Sequence, residues 1–284
     1  MQKLLIATLV LVFMNVIYAQ DFKTLIADGT QNVPEKNALQ PTIENLPPEE
    51  IESVKQEALK TEVEFKTYPQ MSSEESNYRN GFELLDVAEG FFISREIKYR
   101  AYLYTAWSKK INRNYQGVMV VRHSKNSQGE KQFHVQAHYV YGYQGDRYIR
   151  QASDINNNLL SEIVIFSEPP TKKIEKRFVR ILEFSSKGIE RLGFVEMFSR
   201  HNRPNYVPKD PKQKRVAQTP EIYATKLYVQ SELGKKTTFY SERFAMLANS
   251  WSESNSLKAI ELEKDSTGYV ELVKPTFPKG PGEK

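Results

Sequence analysis

Cysteine is absent from the 284 residues. That excludes thiol nucleophiles, thiolate metal ligands and disulfide staples. Histidine is scarce as well, at four residues. His134 and His138 share a strand face but stand ~13 Å apart at strand rise, too far to hold one zinc. There is no pair of histidines at helical spacing, no Gly-x-Ser-x-Gly elbow and no glycine-rich phosphate loop. Glu183 and Glu196 fall in strand segments that nothing in the sequence brings together, so they read as solvated strand residues. The chain is therefore expected to be a non-enzyme without metal or cofactor. Long apolar runs are missing too: beyond the first twenty residues none approaches the roughly 20 needed to span a bilayer.

The exception lies at the start. Lys3 is followed by an apolar run over residues 4–17, broken only by Thr8 and Asn15. This is the layout of a secretory signal, with small Ala19 suited to the cleavage site. Cleavage after Ala19 is expected, and no cysteine follows to carry a lipid. The expected location is the bacterial periplasm or the medium, with no transmembrane anchor after cleavage. An exported chain that forgoes disulfides must rely on its core, which suits a Gram-negative periplasm.

Tyrosine and phenylalanine are plentiful, 16 and 15 residues, and such residues favour β-structure, where flat rings pack across strands. Charge is split along the chain. Residues 20–80 carry 12 acidic and 6 basic side chains, residues 81–284 carry 23 and 33. An acidic arm thus precedes a basic body; the arm is either a solvated leader or a segment that docks on a basic face.

In the arm, residues 20–46 read as extended and poorly ordered. Leu46-Pro47-Pro48-Glu49-Glu50 opens a helix, since proline fits the first turn and the glutamates complement the dipole. Ile51, Val54 and Ala58 give it a narrow apolar stripe to about residue 64. Residues 68–80 form a polar linker. The body, 81–273, alternates in the strand period: Ile97, Tyr99, Ala101, Leu103 and Thr105 share a face, with Lys98 and Arg100 opposite. Further strands are expected over 115–123, 133–143, 163–166, 177–184, 191–200 and 222–230. Residues 124–131, holding Gly129, form a hairpin turn, and 148–160, with Asp154 and three consecutive asparagines, a turn or short helix. Tyr240, Phe244, Leu247 and Trp251 repeat at helical spacing, so a helix capped by Thr237 or Thr238 is expected there. Residues 257–262 and 269–273 read as a closing hairpin, and 274–284 as a flexible tail. The expected fold class is α+β: a predominantly antiparallel sheet with a C-terminal packed helix, preceded by an extended acidic arm.

Residues 200–215 stand out, with six Lys or Arg against one acidic residue and three prolines. Arg200, Arg203, Tyr206, Lys209, Lys212, Lys214 and Arg215 are the candidate partner-binding residues, with Lys172, Lys173, Lys176 and Arg177 extending the patch. Nucleic acid is the reflex partner of such a loop, but export argues against it and favours an acidic protein, polysaccharide or headgroup.

The signal ending Tyr18-Ala19-Gln20, the absence of cysteine and the Lys/Glu/Asn/Ser-rich arm resemble the exported proteins that coat spirochete periplasmic flagellar filaments, the flagellar-coiling proteins of Leptospira among them. The resemblance is one of layout and transfers no residue. It implies an exported structural or assembly protein of the periplasm or envelope, in a filament sheath, with protein partners. The alternative is a binding module for a glycan or lipid, seated on Tyr139, Tyr141, Tyr143 and Tyr148 near Trp107.

Overall fold

The computed structural model describes residues 23–31, 40–60, 81–108, 113–142, 145–167, 176–185, 188–201, 221–232, 236–262 and 268–271. The expected signal segment, residues 1–19, lies outside them. Thirteen strands, one α-helix and a short 3-10 helix (Ile43–Asn45) make up the described fold. In chain order these are β1 (Thr24–Asp28), α1 (Pro48–Lys60), β2 (Phe82–Gly90), β3 (Tyr99–Ser108), β4 (Arg113–Lys125), β5 (Lys131–Gly142) and β6 (Asp146–Ser153). They are followed by β7 (Glu162–Ser167), β8 (Lys176–Ser185), β9 (Gly188–His201), β10 (Glu221–Gln230), β11 (Thr238–Leu247), β12 (Ser250–Ile260) and β13 (Gly268–Glu271). Every strand pair is antiparallel. The smaller sheet runs β13-β5-β4-β3-β2, and the larger runs β12-β11-β10-β9-β8-β7-β6, with β1 also paired to β10.

Strand alternation sends side chains from the smaller sheet into two cores. Ala101, Leu103, Val118, Val120, Ala137 and Tyr139 meet Ile149, Ile163, Ile165, Leu182 and Phe184 of the larger sheet. Their neighbours Tyr102, Tyr104, Met119, Val121 and Val140 pack beneath α1. Val54 and Ala58 of α1 are fully buried there, and burying one valine is worth about 2 kcal/mol. Gly117 leaves room for the Tyr104 ring, since a Cβ at that position would strike the phenol. A third core, with Val164, Phe166, Val179, Ile181, Leu227 and Val229, lies on the other face of β7 and β8 and is shared with β1, β9, β10 and β11. The larger sheet therefore wraps round a core of its own.

The expected C-terminal helix does not form. Residues 238–260 are instead the β11–β12 ribbon, and the one α-helix lies near the N-terminus. Tyr240 and Phe244 satisfy a period of two as well as of 3.6, because both sit at even spacing on one face of β11. Phe239, on the opposite face, is the residue that enters the third core. The reversal falls at Ala248 and Asn249, with φ of 49° and 66°. Two left-handed residues make a two-residue type I′ turn, and Ala-Asn is not the pair that advertises one. The closing hairpin fails with the helix: β12 completes the ribbon, and β13 joins the smaller sheet beside β5. Part of the acidic arm is built into the body, as β1 and as α1. Among the described residues no helix is long and apolar enough to cross a membrane.

Candidate functional site

The first turn of α1 lays Glu50 against β3, and a chain of polar contacts spreads from it. Glu50 is only 8% exposed. Arg100 Nη1 donates to Glu50 Oε1 and Oε2 at 2.6 and 2.8 Å, and Arg100 Nε donates to Glu89 Oε1 at 2.7 Å. Lys98 Nζ lies 2.6 Å from Glu89 Oε2. On the other side, Tyr102 Oη donates to Glu50 Oε1 at 2.6 Å and lies 2.9 Å from His123 Nε2. A carboxylate can only accept, so the Tyr102 proton belongs to Glu50. His123 must then donate from Nε2 to the phenol oxygen, which fixes its neutral tautomer as the Nε2–H form.

The electrostatics follow from burial and pairing. Burial pushes the Tyr102 phenol far up, and the adjacent Glu50 carboxylate adds to the shift. Burial opposes the charge on Glu89, but hydrogen bonds from Lys98 and Arg100 outweigh it and hold that carboxyl below its usual range. Burial lowers His123, with Glu50 pulling the other way.

Above it opens a cleft of about 380 Å³, lined by Glu50, Glu89, Lys98, Arg100 and His123 of this network together with Tyr99, Ser124, Lys125 and Lys131. Lys125 and Lys131 stand directly opposite each other where β4 turns into β5. Like charges placed so are mutually destabilising, and both side chains are exposed. Glu50 and Glu89 are already engaged by Arg100 and Lys98, so the mouth of the cleft carries positive charge that its floor does not neutralise. Chemically this is a place to receive an acidic group. Glu50, Glu89, Arg100, Tyr102 and Lys98 are committed to one another.

Of the basic segment 200–215 only Arg200 and His201 lie among the described residues. Arg200 lies half-buried in β9, and His201 and Glu221 are direct partners in the ladder between β9 and β10. Arg203, Tyr206, Lys209, Lys212, Lys214 and Arg215 lie outside the described residues, as do Lys172 and Lys173. Arg200 belongs to the other sheet from the cleft. Lys176 pairs with Glu196 at 2.7 Å. Arg177 leaves the expected surface patch altogether. It is 1% exposed, donates from Nη1 to the Gln31 carbonyl at 2.6 Å and lies 5.1 Å from the Phe166 ring. Its Nε and Nη2 have no partner, and burial lowers its pKa to about 10.

The aromatic cluster resolves as core. Tyr139 and Tyr141 are fully buried and stacked at 5.1 Å, and Tyr148 packs against the third core; Tyr143 lies outside the described residues. His138 is also core, bonded to Tyr104, and burial lowers it to about 4. His134 is exposed and touches Ser124 and Gln132. Glu183 and Glu196 do not pair: Glu183 takes hydrogen bonds from Asn156 and Asn158.

Sequence reasoning missed the Glu50 cleft. Its one trace in the sequence is the alternation of Arg100, Tyr102 and Tyr104 on the face of β3 opposite Tyr99, Ala101 and Leu103. No family model, no curated protein and no solved structure matches this chain.

Proposed function

We propose that this chain is an exported, non-enzymatic assembly protein of the bacterial periplasm or envelope that docks an acidic protein partner at the cleft between α1 and the β4–β5 hairpin. The observation that carries the reading is the pair Lys125 and Lys131, opposed at the mouth of a cleft whose own carboxylates are already engaged. An acidic side chain entering there relieves a like-charge contact and meets a rigid floor. Complementary charge of this kind sets the register of neighbours in an assembly. The layout resemblance makes the sheath of a periplasmic flagellar filament the first assembly to examine.

The test is co-sedimentation of the purified protein with the envelope and filament fractions of its source cell, at low and high salt. Salt-sensitive retention is expected for the natural protein and its loss in Lys125→Glu/Lys131→Glu. A protein that stays in the supernatant at low salt, or a double variant retained like the natural one, overturns the reading.

A further inference from the structure

The segment 154–162, between β6 and β7, places oxygen-bearing groups at alternate positions. These are the side chains of Asp154, Asn156 and Asn158, the backbone carbonyl of Leu160 and the side chain of Glu162. Calcium loops take their ligands at this spacing, positions one, three, five, seven and nine. The turn is already wound. Asp154 Oδ1 accepts from the Asn158 amide at 3.0 Å and Oδ2 from the Leu159 amide at 2.8 Å. Asn158 Oδ1 accepts from the Leu160 amide at 2.8 Å. Asn157 and Leu159 are left-handed, with φ of 59° and 69°.

Spacing and winding alone describe a turn. The independent observation is Glu162. Its side chain is completely buried, Oε2 accepts from the Ile155 amide at 2.6 Å, and Oε1 has no partner. A buried carboxylate oxygen without a donor is costly, and this one belongs to a side chain already tied to the loop. From β8, Glu183 Oε1 faces the same loop and accepts one amide N–H from Asn156 and one from Asn158, each at 2.8 Å. Two amide dipoles thus do for Glu183 what a cation does more strongly.

We propose that the loop 154–162, together with Glu183, binds a calcium ion. Carboxylates alone do not make the site, for among the described residues no three His, Cys, Asp or Glu side chains converge as metal ligands. Amide and carbonyl oxygens complete the set, which requires Asn156 and Asn158 to turn their Oδ1 atoms inward. Such a ring of mixed, adjustable oxygens suits calcium, which accepts six to eight ligands in flexible geometry; magnesium demands a tight octahedron. Three carboxylates and two neutral amides put the affinity in the weak class, with Kd of about 0.1–1 mM, the range of calcium modules that work outside the cytoplasm.

The experiment is calorimetric titration of the chelator-treated protein with calcium chloride and with magnesium chloride, alongside thermal unfolding in each. Saturable calcium binding with one site, a raised Tm and at least about tenfold weaker magnesium binding are expected. Asp154→Asn keeps an acceptor for the loop amides, and Glu183→Gln lies in a paired strand. Each should fold and bind calcium at least about tenfold more weakly, the effect of losing one charged ligand. Leu159→Gly, which removes strain at a left-handed position, should bind at least as tightly as the natural protein. Absence of calcium binding at about 10 mM, ten times the weakest expected Kd, overturns the proposal. So does equal binding in Asp154→Asn and Glu183→Gln, or indifference between calcium and magnesium.

Discussion

Asp146 of β6 and Arg180 of β8, both in the larger sheet, make the sharpest test of what a buried ion pair contributes to this fold. Both side chains are 2% exposed, and Arg180 Nε lies 3.1 Å from Asp146 Oδ2. The guanidinium also covers the Tyr141 ring at 4.4 Å. At an effective dielectric near 20 the attraction at this distance is about 5 kcal/mol, while desolvation costs several kcal/mol for each ion. The pair therefore adds little net stability, yet neither member can be removed alone. Asp146→Ala leaves a buried guanidinium without its carboxylate and is expected to cost about 3–5 kcal/mol, a large share of the roughly 5–15 kcal/mol typical of a domain. Replacing both, with Asp146→Leu and Arg180→Met, is expected to return stability to within about 1 kcal/mol of the natural protein or above it. Gln116 bonds only the backbone of Asp146, so its contacts survive either change. Urea unfolding measures this. With a slope of about 2 kcal/mol per molar, the single variant's midpoint should fall by about 2 M. A single variant within about 1 kcal/mol of the natural protein, or a double variant as unstable as the single one, would refute the reasoning.

Arg177→Met removes a buried cation with two unpartnered nitrogens and keeps the stem over Phe166; urea unfolding should show unchanged or higher stability, by up to about 2 kcal/mol. Changing Ala248→Asn with Asn249→Gly supplies the pair that a type I′ turn prefers. It should stabilise the ribbon by about 1 kcal/mol, seen as slower amide exchange in β11 and β12. His138 is neutral in the fold, its pKa lowered to about 4 by burial, so the folded state binds fewer protons than the unfolded one. Its contribution is whole above about pH 6.5 and drains away as pH falls towards 4, by about 3 kcal/mol in all. Unfolding free energies from pH 7 to 4 should show that slope in the natural protein and a flatter one in His138→Gln; parallel curves would count against it.

Much of the body was readable because a half-buried strand writes its burial into alternate residues. β3 and β5 lie where alternation placed them, β4, β8 and β10 lie where strands were expected, and α1 begins at its prolines because an N-terminal turn tolerates them. The ribbon was not readable: Tyr240 and Phe244 fit both periods, and the turn at Ala248-Asn249 uses a residue with no preference for positive φ. β1 was hidden because a five-residue edge segment carries too few alternations to announce a strand.

The candidate sites divide along the same line. Sequence by itself determined the cysteine-free composition, the charge split, the antiparallel body and the alternate oxygens of 154–162, since each is a property of neighbours along the chain. Only the tertiary structure decided that Glu50 lies on Arg100 and Tyr102, that Lys125 opposes Lys131 over the resulting cleft, and that Glu183 faces the loop that ends at Glu162. Those partners are 25 to 52 residues apart or belong to different elements. Their meeting depends on sheet register and helix docking, which the cores between and beneath the sheets impose.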